Sequence, residues 1–76
     1  MNTILITEGK SNNPEFSRGV VRVFINQDYD YGYFISENII FQILNEEQRL
    51  SYNNQDKFQV SDVVVQIIEK MGLTHP

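Results

Sequence analysis

Residues 29 to 42 read Tyr-Asp-Tyr-Gly-Tyr-Phe-Ile-Ser-Glu-Asn-Ile-Ile-Phe-Gln, and the assignment of this stretch decides the fold. Side chains along a strand alternate with period two. Tyr31, Tyr33 and Ile35 then share one face of a first strand, with Gly32 and Phe34 on the other. Ile39, Phe41 and Ile43 share one face of a second strand, with Ile40 and Gln42 opposite, and Glu37-Asn38 supplies a tight corner between the two. With Phe34, Ile39, Phe41 and Ile43 as core, Tyr31, Tyr33, Ile40 and Gln42 form a wetter face on which flat rings can stack.

Working outward from this pair, Gly19 to Asn26 is rich in branched and aromatic residues and reads as the preceding strand. Val21, Val23 and Ile25 face its core, and Arg22 and Phe24 point toward the tyrosine face if the three strands form a meander. Gln27 to Asp30 is a polar turn. Upstream, Thr3 to Thr7 reads as a short strand, either an added edge strand or a leader, and Lys10 to Ser17 is dense in turn formers. Downstream, Asn45-Glu46-Glu47 connects to a fourth strand over Arg49 to Tyr52. Asn53 to Asp56 turns the chain, and a fifth strand begins at Phe58.

Val60 to Ile68 has two readings. Ser61 is placed to cap a helix from Asp62 to Met71, with Lys70 near its carboxyl end and Gly72 as its stop. Against this, five of the six residues Val63 to Ile68 are β-branched, which favours a strand through about Ile68. The strand is the preferred reading. The expected fold is therefore all-β: a small five-stranded antiparallel barrel over residues 18 to 70, preceded by an extension or extra strand over 1 to 17 and followed by a loose tail over 71 to 76.

The chain has 76 residues, enough for one domain and one modest core. It contains no cysteine, so neither disulfides nor thiolate metal sites supplement that core. A composition of 41% hydrophobic and 21% charged residues is that of a folding chain. The formal charge of -4 argues against charge-driven binding to duplex DNA, where affinity rests on many phosphate contacts. Stacking on single strands needs less positive charge. Ile4-Leu5-Ile6 is too short an apolar run for a signal peptide or a membrane span, so a cytoplasmic protein without membrane partners is expected.

Several motifs, in order, resemble bacterial cold-shock proteins. Gly19-Val20-Val21-Arg22-Val23-Phe24 is similar to that family's opening strand. Asp30-Tyr31-Gly32-Tyr33-Phe34 resembles its first ribonucleoprotein motif, and Asn38-Ile39-Ile40-Phe41-Gln42 sits where the second would be. Glu47-Gln48-Arg49-Leu50-Ser51-Tyr52 and Gln59-Val60-Ser61-Asp62-Val63 resemble its last two strands. The resemblance covers roughly residues 18 to 65 and implies an OB-type barrel that binds single-stranded RNA or DNA, as an RNA chaperone or transcript regulator. It assigns Tyr31 and Tyr33 to base stacking, Arg22 to a phosphate or base, and Gln42 to the place of a histidine. Ile40 stands where a stacking phenylalanine is usual, and Val23 where a tryptophan is, with Phe24 beside it able to take that role.

The expected nucleic-acid site is thus Arg22, Phe24, Tyr31, Tyr33, Ile40 and Gln42. Stacking contributes about 1 to 3 kcal/mol per base, so two tyrosine platforms and one weaker aromatic predict micromolar affinity or poorer. The alternative is a protein-interaction module on the same barrel, its partner held at the tyrosine face. Monomer and homodimer both stay open. No enzyme is expected: His75 is the one histidine, near the end of the chain, and no triad partner accompanies it. The pairs Asp28/Asp30 and Glu46/Glu47 fall in turns where solvated charge is the ordinary explanation, so no metal and no cofactor are expected.

Overall fold

A computed structural model describes residues 1–9 and 19–74. The loop expected over Lys10 to Ser17, Arg18 at the expected domain start, and His75 and Pro76 of the tail lie outside the described residues. Strands β1 (Asn2–Glu8), β2 (Val20–Ile25) and β3 (Tyr33–Ser36) are followed by helices α1 (Glu37–Ile43) and α2 (Glu46–Asn53). Then come β4 (Phe58–Val60), α3 (Asp62–Met71) and the two-residue β5 (Leu73–Thr74). The five strands form one antiparallel sheet in the order β4-β1-β2-β3-β5.

The antiparallel five-stranded sheet agrees with expectation, and β1, β2, β3 and the start of β4 fall where strands were expected, but the strands expected over 39–44 and 49–52 and the continuation through Ile68 do not form. The sheet is open, with β4 and β5 at its edges, and does not close into a barrel. The stretch 39–44 belongs to α1, 49–52 to α2, and 62–71 to α3. β1 pairs with β2 on one side and β4 on the other, so it lies inside the sheet rather than at an added edge.

Each helix has a physical reason that outweighs strand propensity. In α1, Ile40 is fully buried and Leu44, four residues on, is buried just past the last turn. That spacing stacks two side chains on one helix face, whereas period two would point them to the same strand face with Gln42 between them. Helix α2 is set by a capping box. The Asn45 side chain accepts from the Gln48 amide at 2.8 Å, and the Gln48 side chain accepts from the Asn45 amide at 3.0 Å. Its other end is a Schellman motif: Asp56 N–H donates to Ser51 C=O and Gln55 N–H to Tyr52 C=O, both at 3.0 Å, with Gln55 left-handed at φ 61. Helix α3 occupies the span set by Ser61 and Gly72, with the Ser61 hydroxyl accepting from the Val64 amide at 3.4 Å.

In α3 the branched residues cost about 0.5 kcal/mol each in helix propensity relative to alanine. Burying a valine or isoleucine returns about 1.5 to 3 kcal/mol. Val64 and Ile68 are both buried against the sheet, so packing decides the element.

The core lies between the sheet and the helices. Its strand members are Ile4 and Ile6 of β1, Val21 and Val23 of β2, Ile35 of β3, and Phe58 and Val60 of β4. Ile40, Leu44, Val64 and Ile68 meet them from the helical layer. The register accounts for this set, since Ile4 stands opposite Ile25, Ile6 opposite Val23, and Val21 opposite Ile35. By the same alternation Leu5, Arg22, Phe24 and Phe34 point to the other side of the sheet. None of these four belongs to the core cluster.

Two further contacts hold the frame. The chain reverses after β2 through Asn26 and Gln27, both left-handed at φ 54 and 66, with Asp28 N–H donating to Ile25 C=O at 3.1 Å. This is the geometry of a type I′ turn. Between the helices, both Nε and Nη2 of Arg49 donate to the Phe41 carbonyl, Nε at 2.8 Å, satisfying an acceptor left free in the last turn of α1.

Candidate nucleic-acid interface

The six residues expected to form one binding face are divided by the structure. Arg22 and Phe24 lie together on the side of the sheet opposite the core. Tyr33 alternates onto the core side, opposite Val23, and packs against the core cluster. Tyr31 sits in the loop before β3 and is exposed. Ile40 is fully buried inside α1, and Gln42 is exposed on that helix. The expected neighbourhood of Tyr33, Ile40 and Gln42 depended on residues 39–44 pairing as a strand with β3. As a helix they leave the sheet, so Ile40 enters the core and no tyrosine platform forms beside it.

What stands on the side away from the core is a row of rings and cations. The Arg22 guanidinium carbon lies 4.8 Å from the Phe24 ring centroid and 5.3 Å from that of Phe34. Phe24 in turn meets Tyr29 with centroids 5.5 Å apart and ring planes at 59°. The Lys57 ammonium lies 5.6 Å from the Tyr29 ring. In the order Phe34, Arg22, Phe24, Tyr29, Lys57 the three rings are contacted by two cations, each within the range of a favourable cation–π contact. Phe34 is largely buried, Arg22 and Phe24 are half-buried, and Tyr29 and Lys57 are exposed.

Glycine permits this arrangement at one point. Arg22 passes over Gly32, and a Cβ there would overlap its Nε and lie 3.1 Å from the Phe24 ring. In this position Nε is buried and has no hydrogen-bond partner. Leaving such a donor unpaired costs about 1 to 3 kcal/mol, which the two cation–π contacts, about 0.5 to 2 kcal/mol each, offset.

Tyr29 and Lys57 are absent from the residues expected from sequence. Tyr29 was accessible in principle: a two-residue reversal at Asn26-Gln27 carries the chain straight back past the end of β2, where Phe24 lies. Lys57 was not, because it arrives through the pairing of β4 with β1 across more than fifty residues of chain.

The arrangement offers stacking faces and positive charge. Among the described residues no group of three or more histidine, cysteine, aspartate or glutamate side chains could hold a metal ion. On the other side of the molecule, burial, and then the Glu37 carboxylate that accepts a hydrogen bond from it, hold the Tyr52 phenol well above the usual tyrosine range. That contact joins the end of α2 to the start of α1 and is structural in its placement. No described helix is long and apolar enough to cross a membrane. No protein-family model, curated protein or solved structure matches the chain.

Proposed function

We propose that the chain is a non-catalytic module that binds single-stranded RNA or DNA on the side of its sheet away from the core, through Phe24, Tyr29, Arg22 and Lys57. The observation that carries this reading is the row of rings and cations along that side. Bases stack on Phe24 and Tyr29, and the flanking cations Arg22 and Lys57 meet phosphates. This is the kind of binding that the cold-shock resemblance implies, proposed here on an open sheet and on a different set of side chains. Of the residues that carried that resemblance, Arg22 and Phe24 remain in the proposed site, while Tyr31, Tyr33, Ile40 and Gln42 do not.

The expected affinity is low. Two stacked bases supply about 2 to 6 kcal/mol before ordering costs, which corresponds to millimolar to micromolar dissociation constants. Two phosphate contacts give a logarithmic salt slope of about -1.4. Asp28 and Asp30 flank Tyr29 and oppose a phosphate there, in line with a chain of net charge -4.

That charge favours a second reading, a protein partner at the same side of the sheet, where the half-buried Leu5 and the exposed Leu73 add apolar surface. Interfaces between proteins are enriched in aromatic residues and arginine.

The two are separated by titrating a labelled pyrimidine-rich single strand, about ten nucleotides long and so within the site sizes of single-strand binders, and following its anisotropy at low and physiological salt. The proposal expects weak saturable binding, lost in Phe24→Ala/Tyr29→Ala and kept in Tyr31→Ala. Absence of binding up to about millimolar protein in low salt overturns the nucleic-acid reading and leaves the protein partner.

A further inference from the structure

A cleft of about 390 Å³ opens on the other side of the sheet, between the loop leading into β3, the end of α3 and β5. Its apolar floor is Ile25, packed over the fully buried Val23. Tyr31 and Tyr33 supply two phenol rings, and Asp28 and Glu69 two carboxylates. No lysine or arginine is among its described lining residues. The volume falls in the range of small-ligand pockets. Period two places Tyr31 and Tyr33 on the same side of the chain, with Gly32 between them turned to the Arg22 side.

This chemistry selects one kind of ligand. An anion would meet two carboxylates and the electron-rich ring faces. A neutral apolar ligand would cover the carboxylates without pairing them. Asp28 already accepts from the Asp30 amide at 3.3 Å, which leaves its second oxygen for another donor. No cation of the described residues pairs with Glu69.

We propose that this cleft binds an alkylammonium group, its charge between Asp28 and Glu69 and against the rings of Tyr31 and Tyr33, its aliphatic stem on Ile25. Rings take the ammonium through their quadrupole, as in aromatic cages for quaternary ammonium ligands, while the carboxylates supply charge. The site shares no side chain with the nucleic-acid face, so either can fail without the other.

The test is an amide NMR titration of the full chain at constant ionic strength, with choline as the probe and dimethylbutanol, its neutral carbon isostere, as the control. Choline should shift Gly32, Tyr33, Glu69 and Thr74 saturably in the millimolar range, and the neutral isostere should bind about fivefold more weakly or less. Glu69→Gln and Tyr31→Leu alter exposed side chains and should each weaken choline about three- to tenfold with the fold intact. Two further probes separate sources of the group. Tighter binding of putrescine points to a free amine, and tighter binding of an acetylated trimethyllysine amide points to a side chain on another protein. Equal binding of choline and dimethylbutanol, shifts confined to other residues, or affinity unchanged in both variants overturns the proposal.

Discussion

Arg22 lies across Gly32, held so closely that a Cβ on the glycine would stand 2.9 Å from the arginine Cγ and within the space of its Nε. The glycine does not have positive φ, so its role is to admit the arginine rather than to turn the chain. Gly32→Ala should therefore displace Arg22 from between Phe24 and Phe34. Overpacking of this kind costs about 1 to 3 kcal/mol, to be read by urea denaturation, and the variant should also bind single strands more weakly.

Arg22→Met gives the complementary result. It removes two cation–π contacts but also the buried, unpaired Nε, and methionine keeps much of the aliphatic stem over Gly32. The opposing effects leave stability within about 1 kcal/mol of the parent. Oligonucleotide affinity should fall with its salt slope reduced by about 0.7, the loss of one phosphate contact.

Ile40 separates a helix in the core from a strand on the surface. Its burial in α1 predicts a loss of about 2 to 5 kcal/mol for Ile40→Ala. Tyr31→Ala, in an exposed loop position, should stay within about 0.5 kcal/mol. Similar small losses at both positions would restore the surface strand.

Gln55 occupies the left-handed position of the Schellman motif that ends α2, where glycine fits without a Cβ penalty. A left-handed residue with a side chain costs about 1 to 2 kcal/mol, and glycine returns part of this as entropy of the unfolded chain. Gln55→Gly should raise stability by about 0.5 to 1 kcal/mol, seen as a higher melting temperature.

Tyr52 predicts a pH dependence. Burial and the neighbouring Glu37 carboxylate raise its folded pKa above the ordinary value of about 10. The folded state therefore holds the phenolic proton after the unfolded state has lost it. The stabilisation it brings is complete below about pH 10 and declines as pH rises beyond that value. Tyr52→Phe should flatten this alkaline decline in denaturation midpoint and leave the acid side of the profile to other groups.

The sequence by itself determined the features set by neighbours in the chain. The alternation of Val21, Val23 and Ile25 against Arg22 and Phe24 places β2 and both of its faces. The Asn45–Gln48 spacing encodes the capping box of α2, though an alternating reading of Leu50 and Tyr52 obscured it. Ser61, Lys70 and Gly72 mark the limits of α3, and the branched run between them argued for a strand.

Only the tertiary structure decided what that run and Ile39-Ile40-Phe41 become, because short apolar stretches satisfy both periods and intrinsic preference differs by less than the burial energy of one isoleucine. Ile4, Ile6, Val21, Val23 and Ile35 share one face of the sheet and need cover, and the helical layer presenting Ile40, Leu44, Val64 and Ile68 supplies it. That choice moved Tyr33 to the core side, buried Ile40, and brought Lys57 to Tyr29 across the fold. The candidate site changed with the elements, since which side chains share a surface follows from strand partners distant in sequence.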